Sequence, residues 1–269
     1  MGKVVERVKG VARKASADQI TTLAAAIAYA FFLSLFPLLF ALFALTGIVG
    51  GDRAFHAIMS ALEEAVPAQG AELLGTYIAQ ITNRSRPGLL SLGIVTTLWT
   101  AAGGVRAIMG ALNEIYDLRE SRGFWKPRLL ALGVLLACAI LFLAAAIAIL
   151  IGPELVRLAK LGVAAEVVRW PIGFVLVVLV FWLLYYLLPD RDQSRSKGSL
   201  LVGAVAGALL WLAVTFLFQL YVANFGKYDL TYGALGAVVV LLLWLYLTAL
   251  AVLLGGVVAE EVERWGWGR

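Results

Sequence analysis

Six apolar runs dominate the chain, at 23–49, 89–112, 129–151, 171–188, 199–222 and 233–258, with polar or charged connections between them. A run of roughly eighteen or more apolar residues can cross the ~30 Å hydrocarbon core of a bilayer as a helix. The pattern therefore predicts an all-α, polytopic membrane protein: one domain over 1–269 with six transmembrane helices. Two further elements flank the runs. In the first fifteen or so residues, Val4, Val8, Val11 and Ala15 form an apolar stripe among Lys3, Arg7, Lys9, Arg13 and Lys14. This predicts an N-terminal amphipathic helix within 1–20, lying on an anionic leaflet; a nucleic-acid arm is the other reading of the same charge. Between the first two spans, 54–66 and 71–82 are patterned as helices around Pro67 and Gly70, which predicts a helical outer cap over 51–87.

Positive charge sets the expected orientation. The N-terminus, the second and fourth connections and the C-terminus carry 14 of the 22 Lys and Arg residues; the connections on the other side carry 7, and Arg106 is the remaining one. The positive-inside rule then places both termini in the cytoplasm, with the bacterial inner membrane as the location.

The second run is the least ordinary, because Arg106 lies within it. Thr96, Trp99, Gly103, Arg106, Gly110 and Asn113 recur at steps of three and four and so share one helix face, which is small and polar. Leu92, Val95, Ile108 and Leu112 make the opposite face, expected to meet lipid. An intramembrane charge costs roughly 2.5–3.5 kcal/mol at a helix centre and usually faces a bundle interior or a wet cavity. Three readings of Arg106 stay open: an interior role, a pairing across helices, or snorkelling to headgroups from about 25 Å along the helix. Elsewhere, Pro37 frees a carbonyl near Leu33 that Ser34 is placed to satisfy, and Tyr29 is the other polar member of that span. Gln219, Tyr221, Asn224, Tyr228 and Tyr232 gather near the last connection, as an interfacial belt or as part of a polar path. Gly203 and Gly207 form a G-x-x-x-G notch suited equally to a contact within the chain or to a homo-oligomer.

Composition supports this and removes other classes. The chain is 62% hydrophobic and 14% charged, against about 25% charged in soluble domains. It has one histidine, His56, and one cysteine, Cys138, so no disulfide can close within it and no His/Cys cluster can hold a metal. Glu63–Glu64 and Glu260–Glu261 are adjacent pairs without metal-binding spacing. A P-loop is absent. The expectation is a non-enzyme without cofactor, whose partners are membrane lipids rather than nucleic acid.

Five stretches together carry a family resemblance: AAAIAYAFFLSLFPLL at 24–39, ALNEIYD at 111–117, RGFWKPRLLAL at 122–132, LLP at 187–189 and YGALGAVVVLLLWLYLTALAVLLGG at 232–256. On these the chain resembles the YihY/BrkB family of bacterial inner-membrane proteins, once labelled ribonuclease BN. The resemblance implies six helices and an inner-membrane location, and for relatives a role in moving lipids or other envelope amphiphiles. The family pattern often has Glu just after the final glycine and Asn two residues later, where this chain has Val257 and Ala259.

Two functional classes follow. One is a transporter or flippase of a lipid or other anionic envelope amphiphile, with Arg106, Asn113, Tyr29, Ser34, Gln219, Tyr221 and Asn224 along its path. The other is a non-catalytic scaffold for envelope proteins. A buried, wettable cavity lined by Arg106 would favour the first; a fully packed core with a groove only outside the bundle would favour the second.

Overall fold

The computed structural model describes residues 2–49, 87–138, 141, 162–190, 196–225 and 229–266. Within them are seven helices and no strand: α1 (Gly2–Ala17), α2 (Ile20–Val49), α3 (Pro87–Ile115), α4 (125–138), α5 (Gly162–Leu187), α6 (Lys197–Phe225) and α7 (Asp229–Arg264). Two are long and apolar enough to cross a membrane over Lys197–Tyr221 and Val238–Arg264. The pair α1–α2, bent by 60°, makes a third if counted as one span. The expected six spans draw in part on residues outside the described set, as does the whole of the expected cap with His56.

Helix α7 is central. It packs against α6, α2, α3 and α1; α2 also packs along α3, and α5 along α6. The α6–α7 contact is close because both helices bring glycine to it. A Cβ on Gly203 would stand 2.5 Å from the Cβ of Ala259 and from the Gly255 carbonyl oxygen, and one on Gly207 would stand 2.9 Å from the Phe181 ring. The G-x-x-x-G notch is thus filled within the chain by α7 and α5. Beside it, the buried Tyr185 of α5 donates its hydroxyl to the Val252 carbonyl oxygen at 2.6 Å, so that this phenol keeps a partner in an apolar surrounding. Val257 and Ala259 are almost wholly buried in the same packing, where a carboxylate or amide would need partners of its own.

Three local details depart from the pattern of the runs. Pro171, the first residue of the 171–188 run, lies inside α5, which begins at Gly162. A proline removes one N–H from the ladder, and membrane helices tolerate it when neighbouring groups satisfy the freed carbonyl. At the break between α1 and α2, Asp18 pairs with Lys14 one turn back at 3.1 Å, and Gln19 takes φ 48°. The third change is the phase of α3. Ala101, Ala102, Val105, Ile108, Met109, Leu112 and Ile115 are its buried stripe, while Trp99, Gly103, Arg106 and Gly110 are exposed. The face expected to meet lipid is the packed one. Its branched side chains fill space against neighbouring helices, whereas the glycines opposite offer nothing to interdigitate.

Candidate functional site

Two polar regions stand out. The first lies along the exposed face of α3 and the start of α4. Arg106 projects there with Gly103 and Gly110 on either side, and a Cβ built on either glycine would meet nothing within 4 Å. The Arg128 guanidinium lies over the Phe124 ring at 3.7 Å from its centroid and over the Trp99 ring at 4.7 Å; one of its N–H groups donates to the Phe124 carbonyl oxygen at 3.4 Å. Trp125 packs edge-on against both aromatic rings, with centroids 6.0 Å from Trp99 and 5.4 Å from Phe124. Such stacking orients the cation. Arg106 is close enough to Arg128 for the like charges to repel, and among the described residues neither forms a salt bridge with a carboxylate.

The second region is a polar knot where the ends of α3 and α5 meet the 116–124 connection. Helix α3 closes with Asp117 at φ 54° and Leu118 N–H donating to the Asn113 carbonyl oxygen at 2.8 Å, a Schellman closure with Asp in the place glycine usually takes. The chain then folds back. Asn113, 6% exposed, donates to Glu120 at 3.0 Å and accepts from the Asp190 N–H at 2.8 Å. Arg122 grips Glu120 with both arms of its fork, at 2.6 and 2.8 Å, and donates to the Leu188 carbonyl oxygen at 2.9 Å. Ser121 donates both N–H and hydroxyl to Asp190. The Arg122 hydrogen bond holds the Glu120 carboxyl below its usual range, and the Ser121 bonds do the same for Asp190. An adjoining set joins α1 to this end: Lys14 and Arg264 both reach Asp117, at 3.4 and 2.8 Å, the Glu261 carboxylate lies against Gly10, and Arg7 lies over the Trp265 ring. The amphipathic α1 is therefore docked on α7, with Lys14 buried rather than free for a leaflet.

The candidate residues read from sequence fall into separate places. Arg106 is exposed on α3. Asn113, on the same helix, is committed to the knot. Ser34 is buried and donates to the Phe31 carbonyl oxygen at 2.7 Å, one turn back, instead of to Leu33. Tyr29 is exposed on α2. Gln219 and Tyr221 are exposed on α6, and Phe218 stacks on Tyr221; Asn224 is in the last turn of α6, its side chain outside the described set. The packed apolar core excludes Arg106. The knot residues Glu120, Arg122 and Asp190 were missed. The one signal for them was charge placed directly after two apolar runs, in ALNEIYDLRESR and LLPD.

Apolar helices meeting in a core sealed at one end by ion pairs define a helical membrane protein. The sequence profile of the family described as Virulence factor BrkB matches residues 11–266, and the chain belongs to that family. Its relatives include YfkH of Bacillus subtilis (strain 168), whose name calls it no more than ribonuclease-like; it is 33% identical over 240 residues, covering 86% of each chain. A UPF0761 membrane protein of Pseudomonas aeruginosa (strain LESB58) is 30% identical over 94% of this chain, and one of Neisseria meningitidis serogroup B is 28% identical over 95%. The chain spans 62% and 63% of those two relatives' lengths. No solved structure matches. Among the described residues no group of three or more His, Cys, Asp or Glu side chains could hold a metal ion.

Proposed function

We propose that this protein is a six-span inner-membrane protein, with both termini cytoplasmic, that moves a lipid or other anionic envelope amphiphile across the membrane without a catalytic step. The observation that carries the reading is Arg106: a permanent cation on an exposed helix face, flanked by two glycines that leave open space, opposite a face that is fully packed. The path is then the outer surface of α3, where a charged headgroup passes along the protein while its chains stay in lipid. A guanidinium offers two parallel donors to a phosphate or carboxylate, which an ammonium cannot. The scaffold reading is favoured by the packed apolar core among the described residues, from which Arg106 is excluded.

Transfer of headgroup-labelled phosphatidylglycerol between leaflets of vesicles holding the purified full chain separates the two. We expect transfer above protein-free vesicles, lost in Arg106→Ala and recovered in part by Arg106→Lys. No transfer by the unaltered chain favours the scaffold. Full recovery by lysine returns Arg106 to snorkelling, which needs only charge. For the topology, reporter fusions after Ala68 are expected to behave as periplasmic and those after Glu120 as cytoplasmic; the reverse pattern overturns it.

A further inference from the structure

The patch at Arg106 contains more than the path needs. Arg128, at the start of α4, lies over the Phe124 and Trp99 rings at 3.7 and 4.7 Å from their centroids, contacts that restrict how its donors can turn. Of its five N–H donors, one goes to the Phe124 carbonyl oxygen; the rest of the edge has no protein acceptor among the described residues. Arg106 lies on the same exposed face of α3 as Trp99, two turns further along the helix, and so adds a second guanidinium beside the first. Two like charges kept together with no carboxylate between them are relieved by an anion that bridges them, and the donors of both forks match phosphate oxygens. Trp125, at the start of α4 directly after the 116–124 connection, is of the residue type found at the headgroup level of a membrane. Gly103 and Gly110 leave open space on either side of Arg106, room in which an acyl chain can lie against the helix.

We propose that Arg106 and Arg128 together bind the phosphate of an anionic phospholipid, with one acyl chain along the Gly103–Gly110 strip. The proposal rests on the transport reading, because it names the headgroup class received by the same face. Arg106 supplies one fork, Arg128 the second, and Phe124 and Trp99 fix the plane of the latter. A zwitterionic lipid carries the same phosphate but brings an ammonium against the two cations, so it is held less well. Inorganic phosphate meets the donors but leaves the strip unused.

Native mass spectrometry of the full chain in detergent, with phosphatidylglycerol or phosphatidylcholine added at equal concentration, reads the site without requiring transport. We expect phosphatidylglycerol to be retained at least several-fold over phosphatidylcholine. Arg128→Gln should lower phosphatidylglycerol affinity by about tenfold, the scale of one charge-assisted hydrogen-bonded contact. Arg128→Lys keeps the charge and should recover only part, and Phe124→Leu, which frees the guanidinium plane, should weaken binding less than Arg128→Gln. Millimolar inorganic phosphate should not displace the lipid. Equal retention of the two lipids, unchanged affinity in Arg128→Gln, or full displacement by phosphate each overturns the site. If Arg128→Gln does not fold, Arg128→Lys and the lipid comparison on the unaltered chain decide. Selective binding without leaflet transfer sinks the transport reading and leaves this site standing; transfer without selective binding does the opposite.

Discussion

Gly203→Leu is expected to remove most of the folded protein. A Cβ at this position already meets the Cβ of Ala259 and the Gly255 carbonyl oxygen at 2.5 Å. One of these is backbone and the other is fixed to it, so neither can swing away. The leucine must therefore push α6 off α7, the helix that touches most others in the fold. Overpacking a tight site costs about 1–3 kcal/mol, occasionally more, and here the upper part of that range applies because the loss spreads along a whole helix contact. Gly203→Ala should show a smaller drop in the same direction. Gly133→Ala is the control: nothing lies within 4 Å of its added Cβ, and removing a helical glycine should leave stability unchanged or raise it. Thermal unfolding of the three variants in one detergent reads the order. Equal midpoints for Gly203→Leu and Gly133→Ala would show that the α6–α7 contact is not as close as described.

That contact was half legible in the chain, and the reason it was only half legible applies to α3 too. The G-x-x-x-G spacing of Gly203 and Gly207 announces a close approach, because only small residues let backbones come together. It carries no information about which partner approaches. Helix α3 repeats the problem in its phase. The steps of three and four do put Trp99, Gly103, Arg106 and Gly110 on one side, whereas Asn113, read onto the same face, is buried at the end of the helix. Which side turns inward could not be read from polarity, since lipid and protein core are both apolar and the usual contrast with water is missing. Packing decided it: Val105, Ile108, Met109 and Leu112 have volume to interdigitate, and the glycines do not. Helix existence was plain because apolar runs of this length leave few alternatives, although α5 begins well before Pro171. The knot was illegible for a different reason. Asn113 and Asp190 are 77 positions apart, and Arg122 and Leu188 are 66 apart, so no periodicity links them. Only the return of the chain after Asp117 brings them together.

Arg122→Ala should destabilise the protein in a way that depends on pH. Arg122 is 11% exposed and holds Glu120 with both arms, reaches Asp190 at 3.4 Å and donates to the Leu188 carbonyl oxygen. Hydrogen bonds to charged groups are worth about 1.5–3 kcal/mol. The lower end applies here, because Glu120 keeps about a third of its side chain in water, where screening weakens the pair. The variant also leaves Glu120 and Asp190 facing each other without a cation. In the intact protein both carboxyls titrate below their ordinary values of 4.5 and 3.8, so the folded state binds fewer protons than the unfolded one as pH enters this range. Their contribution is fully present above those values and is lost as pH falls through the lowered ones. In Arg122→Ala the chief cause of the Glu120 depression is gone and the Asp190 charge raises it further, whereas Asp190 loses only the smaller attraction of Arg122 and keeps its Ser121 bonds. The variant therefore loses less stability on acidification than the unaltered protein: the gap between them is widest near neutrality, narrows as pH falls below the ordinary carboxyl values, and closes only beneath the lowered ones, where the carboxyls are protonated in both. Arg122→Lys restores the charge but not the two-armed grip, and should recover part of the neutral-pH loss. Unfolding midpoints measured from pH 3 to pH 8 test this: a gap of constant size across the range would mean that Arg122 acts by filling space and not by holding Glu120 and Asp190 ionised.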